Sequence, residues 1–339
     1  MKRDALELLI NEGGSSIAYR VRREIKNDII SEQEYIQYQN LIYEEPKIQT
    51  ILAWQKEDGY FGTRLHTAPS RSKEWTHEGC VRYLLEKGLG NHNVKKALDI
   101  MLKPGWGKEC DNSRAASTFK YEMIRASLFA QAGYQNYDII FKWVDDAVQA
   151  FRHIAEAESY KDLIYERSDK KLVFVDEKYI PVIYHLRILA YTDLWRTEEN
   201  IKMIESAYQK LYQWLPLPPM YHESKSYPVS PLGNVCWEVN RDFNADLGFY
   251  WLHFYEMSAR MGMLRENSQF RKHFDKLRDD VFTDSNVIYE YTQKNRKNMY
   301  TGWSGYSGMA LEGDWEVDKQ KIRDFMFRIL LIDKFCDHL

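Results

Sequence analysis

Four cysteines are all that this 339-residue chain contains: Cys80, Cys110, Cys236 and Cys336, with no CxxC pair among them. So sparse and scattered a set excludes a disulfide-stapled scaffold and a cysteine-rich zinc module. No run of about 18 residues is continuously apolar, which excludes a membrane-spanning helix. The N-terminal stretch MKRDALELLINEGG is interrupted by Glu7 before it can serve as a signal peptide. A net charge of −3 leaves no basic footprint for nucleic acid. The GLGN at 88–91 has no strand before it and is not a nucleotide fingerprint. These absences leave a cytoplasmic globular protein as the expectation. Its partner would be a small molecule, apolar or sugar-like, without nucleic acid, transmembrane segment, cofactor or metal.

What the chain has in abundance is aromatic side chain. Its 24 Tyr, 15 Phe and 10 Trp are enough either to fill a large core or to line a cavity. Apolar residues recur at helical spacing in VKKALDIML, YEMIRASLFAQAG, YIPVIYHLRILAYTDLW, NIKMIESAYQKLYQWL, FYWLHFYEMSARMGML and DFMFRILLIDKF. Ser31 to Glu34 has capping-box form, and Asn93, Asp176 and Thr197 are expected N-caps. Gly88, Gly133 and Gly262 stand where helices should stop. The best strand signal, KLVFVDE at 171–177, is short.

Two patterns repeat and interleave. ILAWQKEDGYFG (51–62) and ALDIMLKPGWGK (97–108) each read as an amphipathic helix, a break, and a glycine-flanked aromatic. Weaker echoes follow at 162–175, 210–223 and 276–291. Between them, VRYLL (81–85), IRASL (124–128), LRILA (186–190) and FRILL (327–331) place an arginine inside an apolar helix, and WLHFY (251–255) puts His253 near the arginine position. Two alternating helix types describe stacked hairpins that share a core. The last helix is as apolar as the internal ones, which favours a closed ring over a capped solenoid.

KIQTILAWQKEDGYFG (47–62) resembles the QW repeat of squalene–hopene and oxidosqualene cyclases and of their relatives, the protein prenyltransferases. Lys47, Ile51-Leu52, Gln55 and Gly59 occupy the repeat's places, and Phe61 stands where Trp is usual. The spacing before Gln55 is one residue short, and the second copy keeps only Gly105-Trp106. The resemblance implies an all-α chain, an α/α toroid of about six hairpins forming one domain over 1–339. It also implies that Gln55 caps a helix end while Phe61 and Trp106 tie adjacent hairpins together. An isoprenoid-like ligand in an aromatic-lined cavity is the function it implies.

The chemistry of those families is not intact. The cyclase motif Asp-x-Asp-Asp has its nearest match in WVDDAV, with Asp145-Asp146 behind Trp143. Two adjacent Asp on an amphipathic helix more often form a solvated face. The prenyltransferase zinc motif Asp-x-Cys is missing; His77, Glu78 and Cys80 offer three ligand types, but a single Cys makes no thiolate site. The densest polar stretch, EVNRDFNADLGFYWLHFYE (238–256), puts Asp242, Asp246 and His253 at helical spacing. These three are the catalytic candidates, as proton-handling groups facing a central funnel lined by 76–83, 121–125, 180–187 and 242–253. Ligand-binding candidates in the same funnel are His77, Glu78, Arg82, Arg125, Tyr184, Arg187 and Trp251.

Two roles are open to the repeated arginines Arg82, Arg125, Arg187 and Arg328. Converging, they would suit an anionic ligand group; repeat-internal, they would pair with carboxylates of the next helix. Three functions are likewise open. One is the isoprenoid reading. Another is a carbohydrate-active enzyme on an (α/α)6 barrel, hydrolase or lyase, stacking sugars on its rings. The third is a toroid scaffold without catalysis.

Overall fold

The computed structural model describes residues 2–62, 65–66, 76–90, 92–103, 106, 121–176, 181–215, 217–223, 248–266, 268–283, 309–312 and 317–336, apart from the side chains of 2 and 248–251. Helices open and close where local chemistry directs them. Ser31 and Glu34 form the expected capping box, the Ser31 hydroxyl accepting from the Glu34 N–H at 3.2 Å and the Glu34 carboxylate from the Ser31 N–H at 3.0 Å. Thr197 accepts from the Asn200 N–H at 3.2 Å. Gly88, Gly133 and Gly262 all take positive φ just past helix ends. Two expected caps are otherwise placed. Asn93 lies inside a helix that starts at His92, its side chain committed to Gln55, and Asp176 precedes no described helix, the next beginning at Ile183.

Thirteen α-helices are present among the described residues. They are α1 (Lys2–Glu12), α2 (Ser15–Arg20), α3 (Glu32–Tyr43), α4 (Pro46–Leu52), α5 (His77–Glu86), α6 (His92–Ile100) and α7 (Tyr121–Gln131), followed by α8 (Asp138–Glu156), α9 (Ile183–Ala190), α10 (Glu198–Trp214), α11 (Gly248–Arg260), α12 (Gln269–Thr283) and α13 (Asp318–Cys336). A π-helical turn, Val21–Ile25, prolongs α2. The chain is mainly helical, as the periodicity predicts.

The helices alternate in their packing. One set contacts its own members in chain order: α5 with α7, α7 with α9, α9 with α11, α11 with α13, and α13 with the π-helical turn after α2. Arg20 at the end of α2 then reaches Glu86 at the end of α5. The other set packs against these helices and its own members, α6 on α5, α8 on α7, α9 and α10, and α12 on α10 and α13. α1 contacts both α13 and α2. Connections from the first set to the second are short: 26–31, 87–91, 132–137, 191–197 and 261–268. Connections back are long: 53–76, 101–120, 157–182, 215–247 and 284–317.

Two of the long connections pair with each other in a small sheet of order β1-β2-β3, with β1 Ile164–Glu166 antiparallel to β2 Leu172–Phe174 and β2 parallel to β3 Met220–Tyr221. The echo at 162–175 is thus a β-hairpin rather than another helix and aromatic turn, which Lys170 permits by taking a φ of 65°. Of the pair in WVDDAV, Asp145 is exposed on α8 while Trp143 is buried, the pattern of a solvated face.

The turn after α4 ties two hairpins together. Gln55 donates to the Gly59 carbonyl at 3.2 Å and to the Asn93 carbonyl at 2.8 Å, and accepts from the Asn93 amide at 2.7 Å. Phe61 is fully buried, and its N–H donates to His77 Nδ1 at 3.0 Å. Tyr60 stacks on the His77 ring at 4.5 Å with planes 3° apart. Gly59 has a φ of 100°, and a Cβ there would lie 2.5 Å from the Lys96 carbonyl oxygen on α6. Phe61→Ala is therefore expected to cost ~3–5 kcal/mol in chemical denaturation, and Gly59→Ala to destabilise through both strain and collision. An unchanged midpoint for Phe61→Ala would mean the ring staples nothing.

Candidate functional site

The first turn of α5 sets the site. Thr76 caps the helix by accepting from the Gly79 N–H at 3.2 Å, which places Glu78 in the first turn, where the helix dipole favours a carboxylate. The Glu78 N–H donates to the Leu65 carbonyl at 3.1 Å, so residues 65–66 are drawn onto the helix start. His66 is thereby brought to Glu78, its Nδ1 bonded to Glu78 Oε2. From the matching first turn of α9, the Tyr184 hydroxyl donates to both Glu78 oxygens at 3.0 Å and lies 3.1 Å from His66 Nδ1. One turn further along α9, Arg187 Nη1 donates to Glu78 Oε1 at 3.3 Å.

Burial opposes ionisation of Glu78, but the interaction and hydrogen bond with His66 and the positive charges of Arg187 and Arg82 outweigh it and lower its pKa to about 2. Glu78 is thus a fixed anion rather than a proton donor. Burial lowers Arg82 to about 10, helped by the neighbouring Arg187 and opposed by Glu78 and Glu86. Burial, then the charges of Arg187 and Arg82, holds His253 well below the ordinary histidine range, so its imidazole is neutral. Burial and the Glu78 charge push Tyr184 up, so its phenol keeps its proton. Within this buried set His66 is the member that reaches solvent, its side chain 20% exposed.

Below this layer the helices carry a closed circuit of alternating charge. Glu86 pairs with Arg20, Arg20 with Glu24, Glu24 with Arg260, Arg260 with Glu256, Glu256 with Arg328, and Arg328 with Glu86. Arg328 is completely buried and also donates to the Met309 carbonyl at 3.1 Å. Burial opposes ionisation of Glu24, yet Arg20 and Arg260 bring its pKa down to about 2.

The structure therefore brings Glu78, Arg82, Tyr184, Arg187 and His253 together, five residues that sequence reasoning singles out. His77 points elsewhere, into the aromatic stack of Tyr60, Phe61 and Trp106. Arg125 is half-buried and donates to the Met101 carbonyl at 2.7 Å, a tie between α7 and the end of α6. Asp242 and Asp246 lie outside the described residues, and Trp251 is described only as backbone of α11. The residue that sequence reasoning misses is His66, which lies in no periodic segment. Its signal is the backbone link from Leu65 to Glu78, visible only once the chain is folded.

Among the described residues no group of three or more His, Cys, Asp or Glu is placed to hold a metal ion, and no helix is long and apolar enough to cross a membrane. The chain matches no protein-family model, no curated protein and no solved structure.

Burial also sets an acid limit on the fold. His77 and His185 are both lowered from 6.5 to about 4 by desolvation. The unfolded chain takes up protons on both as pH falls through 6.5, and the folded chain does so only near 4. Their contribution is fully present above 6.5 and is lost across that window as pH drops, about 3 kcal/mol for each group. The urea midpoint is expected to fall steadily from about pH 7 to about pH 4. His185→Gln, which keeps an acceptor for the Val182 N–H, should flatten the slope; an equally steep profile in that variant would contradict the assignment.

Proposed function

We propose that the chain is an α/α toroid of six helical hairpins whose site is an acid–base centre for a hydroxylated, sugar-like ligand, the hydrolase or lyase reading. What supports the ring is the order of contacts. Six inner helices (α2 with its π turn, α5, α7, α9, α11 and α13) touch in sequence and return to the start through Arg20 and Glu86. α1 then serves as the outer helix of the last hairpin, against α13 and α2. The long connections all lead into the starts of inner helices, the end at which Glu78 and Tyr184 stand. Long connections on one face of a rigid scaffold are where binding and catalysis concentrate.

The observation that carries the chemistry is His66 held at Nδ1 by an ionised, buried Glu78 that Tyr184 also bonds. A carboxylate on Nδ1 fixes the ring's orientation and tautomer and supports proton transfer at the other nitrogen. Carboxylate, phenol, imidazole and guanidinium groups match hydroxyls and glycosidic oxygens. A hydrocarbon ligand would instead lie against an ionised carboxylate with nothing to hydrate it. The isoprenoid expectation from the QW-like repeat therefore ranks below the carbohydrate reading. A non-catalytic toroid is the alternative favoured by the charge circuit, which stabilises helices without touching a ligand.

The protein is to be assayed for cleavage of neutral and acidic oligosaccharides and for consumption of isoprenoid diphosphates. Oligosaccharide cleavage is expected, reduced by about 100-fold or more in His66→Gln and Tyr184→Phe while the melting midpoint stays near wild type. Consumption of isoprenoid diphosphates alone would overturn the assignment. Turnover of neither class, with no binding detected by calorimetry, would leave the scaffold reading in its place.

A further inference from the structure

Resting on that reading, we infer that Arg187 anchors a carboxylate on the ligand, which makes the substrate class a hexuronic acid rather than a neutral sugar. Arg187 is only 4% exposed, and its one side-chain hydrogen bond among the described residues is the 3.3 Å contact from Nη1 to Glu78. Its Nε–H is buried and has no acceptor among them. The guanidinium lies over the Tyr184 ring, 5.2 Å from the centroid, which holds the fork in one plane beside the His66–Glu78–Tyr184 centre. A buried guanidinium that leaves donors unbonded is costly, and a planar carboxylate accepting from two of its N–H groups is the complement that removes the cost.

The neighbours restrict which anion fits. Glu78 remains ionised at neutral pH and shares the site, so a dianionic phosphate monoester would meet a second carboxylate at close range. A monoanion is repelled less and is drawn by Arg82 as well, whose charge couples to both Arg187 and Glu78. His253, kept neutral by burial beside these arginines, does not add a third cation that would select for a dianion. The ligand therefore brings one carboxylate near groups that handle protons. A hexuronic acid has that combination, with its carboxyl on the ring carbon next to the ring oxygen and hydroxyls around it.

The test compares glucuronate, galacturonate and mannuronate with their methyl esters, which keep every atom of the sugar and remove the charge. Binding to the whole protein is read by calorimetry and by the melting midpoint. At least one acid is expected to bind ~10-fold or more tightly than its ester, about 1.4 kcal/mol. Arg187→Gln should bring the pair to parity, and Arg187→Lys, which keeps the charge without the fork, should restore part of the preference. The acid–ester comparison on wild type stands even where Arg187→Gln fails to fold. Equal binding of acid and ester for all three sugars, or preference retained in a folded Arg187→Gln protein, overturns the inference. If neutral oligosaccharides are still cleaved, the acid–base centre survives and only the carboxylate anchor falls. If glucose 6-phosphate binds more tightly than every hexuronate, the anchor takes a dianion and the inference likewise falls.

Discussion

Six ionised side chains, Glu86, Arg20, Glu24, Arg260, Glu256 and Arg328, close a circuit in which each charge lies between two of opposite sign. Much of the architecture depends on it. Arg328 and Glu256 have no exposure and Glu86 has 3%, so each would cost several kcal/mol if left without its partners. The six come from α2 and its π turn, α5, α11 and α13, elements far apart in sequence. Gln131 of α7 adds a further donor to Glu86 at 3.2 Å. A sliding or tilting of any one helix would break two pairs at once. The circuit adds to hydrophobic packing a set of partners that a shifted register would leave buried and unpaired.

The circuit also orders the layers along the helix axes. Glu78 in the first turn of α5 meets Tyr184 in the first turn of α9, whereas Glu86 in the last turn of α5 meets Arg20 at the end of α2, and Arg260 in the last turn of α11 meets Glu24. Helices that pair first turn with first turn and last with last run the same way. At one end the six charges of the circuit answer one another. At the other end the partners of Glu78 include a buried phenol and an imidazole that is partly exposed to solvent. The same set of helices thus carries a self-contained structural network at one end and a chemically open one at the other.

How much of this was legible in the sequence depends on how local each signal is. Capping at Ser31 and Thr197, and the stops at Gly88, Gly133 and Gly262, are decided by residues within one turn and are readable directly. The arginines at 82, 187 and 328 repeat because each occupies the same place on a repeated helix type, so their burial is readable as well. Their partners are not. Arg328 meets Glu86 across 242 positions and Arg187 meets Glu78 across 109; the sequence offers Glu78 as a funnel residue but not as the partner of Arg187, and nothing in the pattern marks Glu86 apart from solvated glutamates. Asn93 departs from its expected capping role for a related reason, since its cap-forming side chain is engaged by Gln55 from another hairpin. His66 had no pattern at all, because its position follows from a backbone contact of its neighbour.

The stretch from Gln55 to His66 joins the two kinds of information. Gln55 fastens the end of the α4 hairpin to α6, and Gly59 lets the backbone approach α6 closely enough for that bond. Phe61 then fixes the orientation of His77 through its N–H, and Leu65 receives the N–H of Glu78, so the first two residues of α5 are both addressed by this one turn. A turn that served only to staple hairpins would need Gln55, Gly59 and Phe61 and nothing beyond them. This one continues until His66 rests on Glu78. The staple of Gln55, Gly59 and Phe61 therefore accounts for the first half of the stretch, and the contact of His66 with Glu78 for the second. The structural turn positions the imidazole because the same α5 start that it braces is the one that presents the carboxylate.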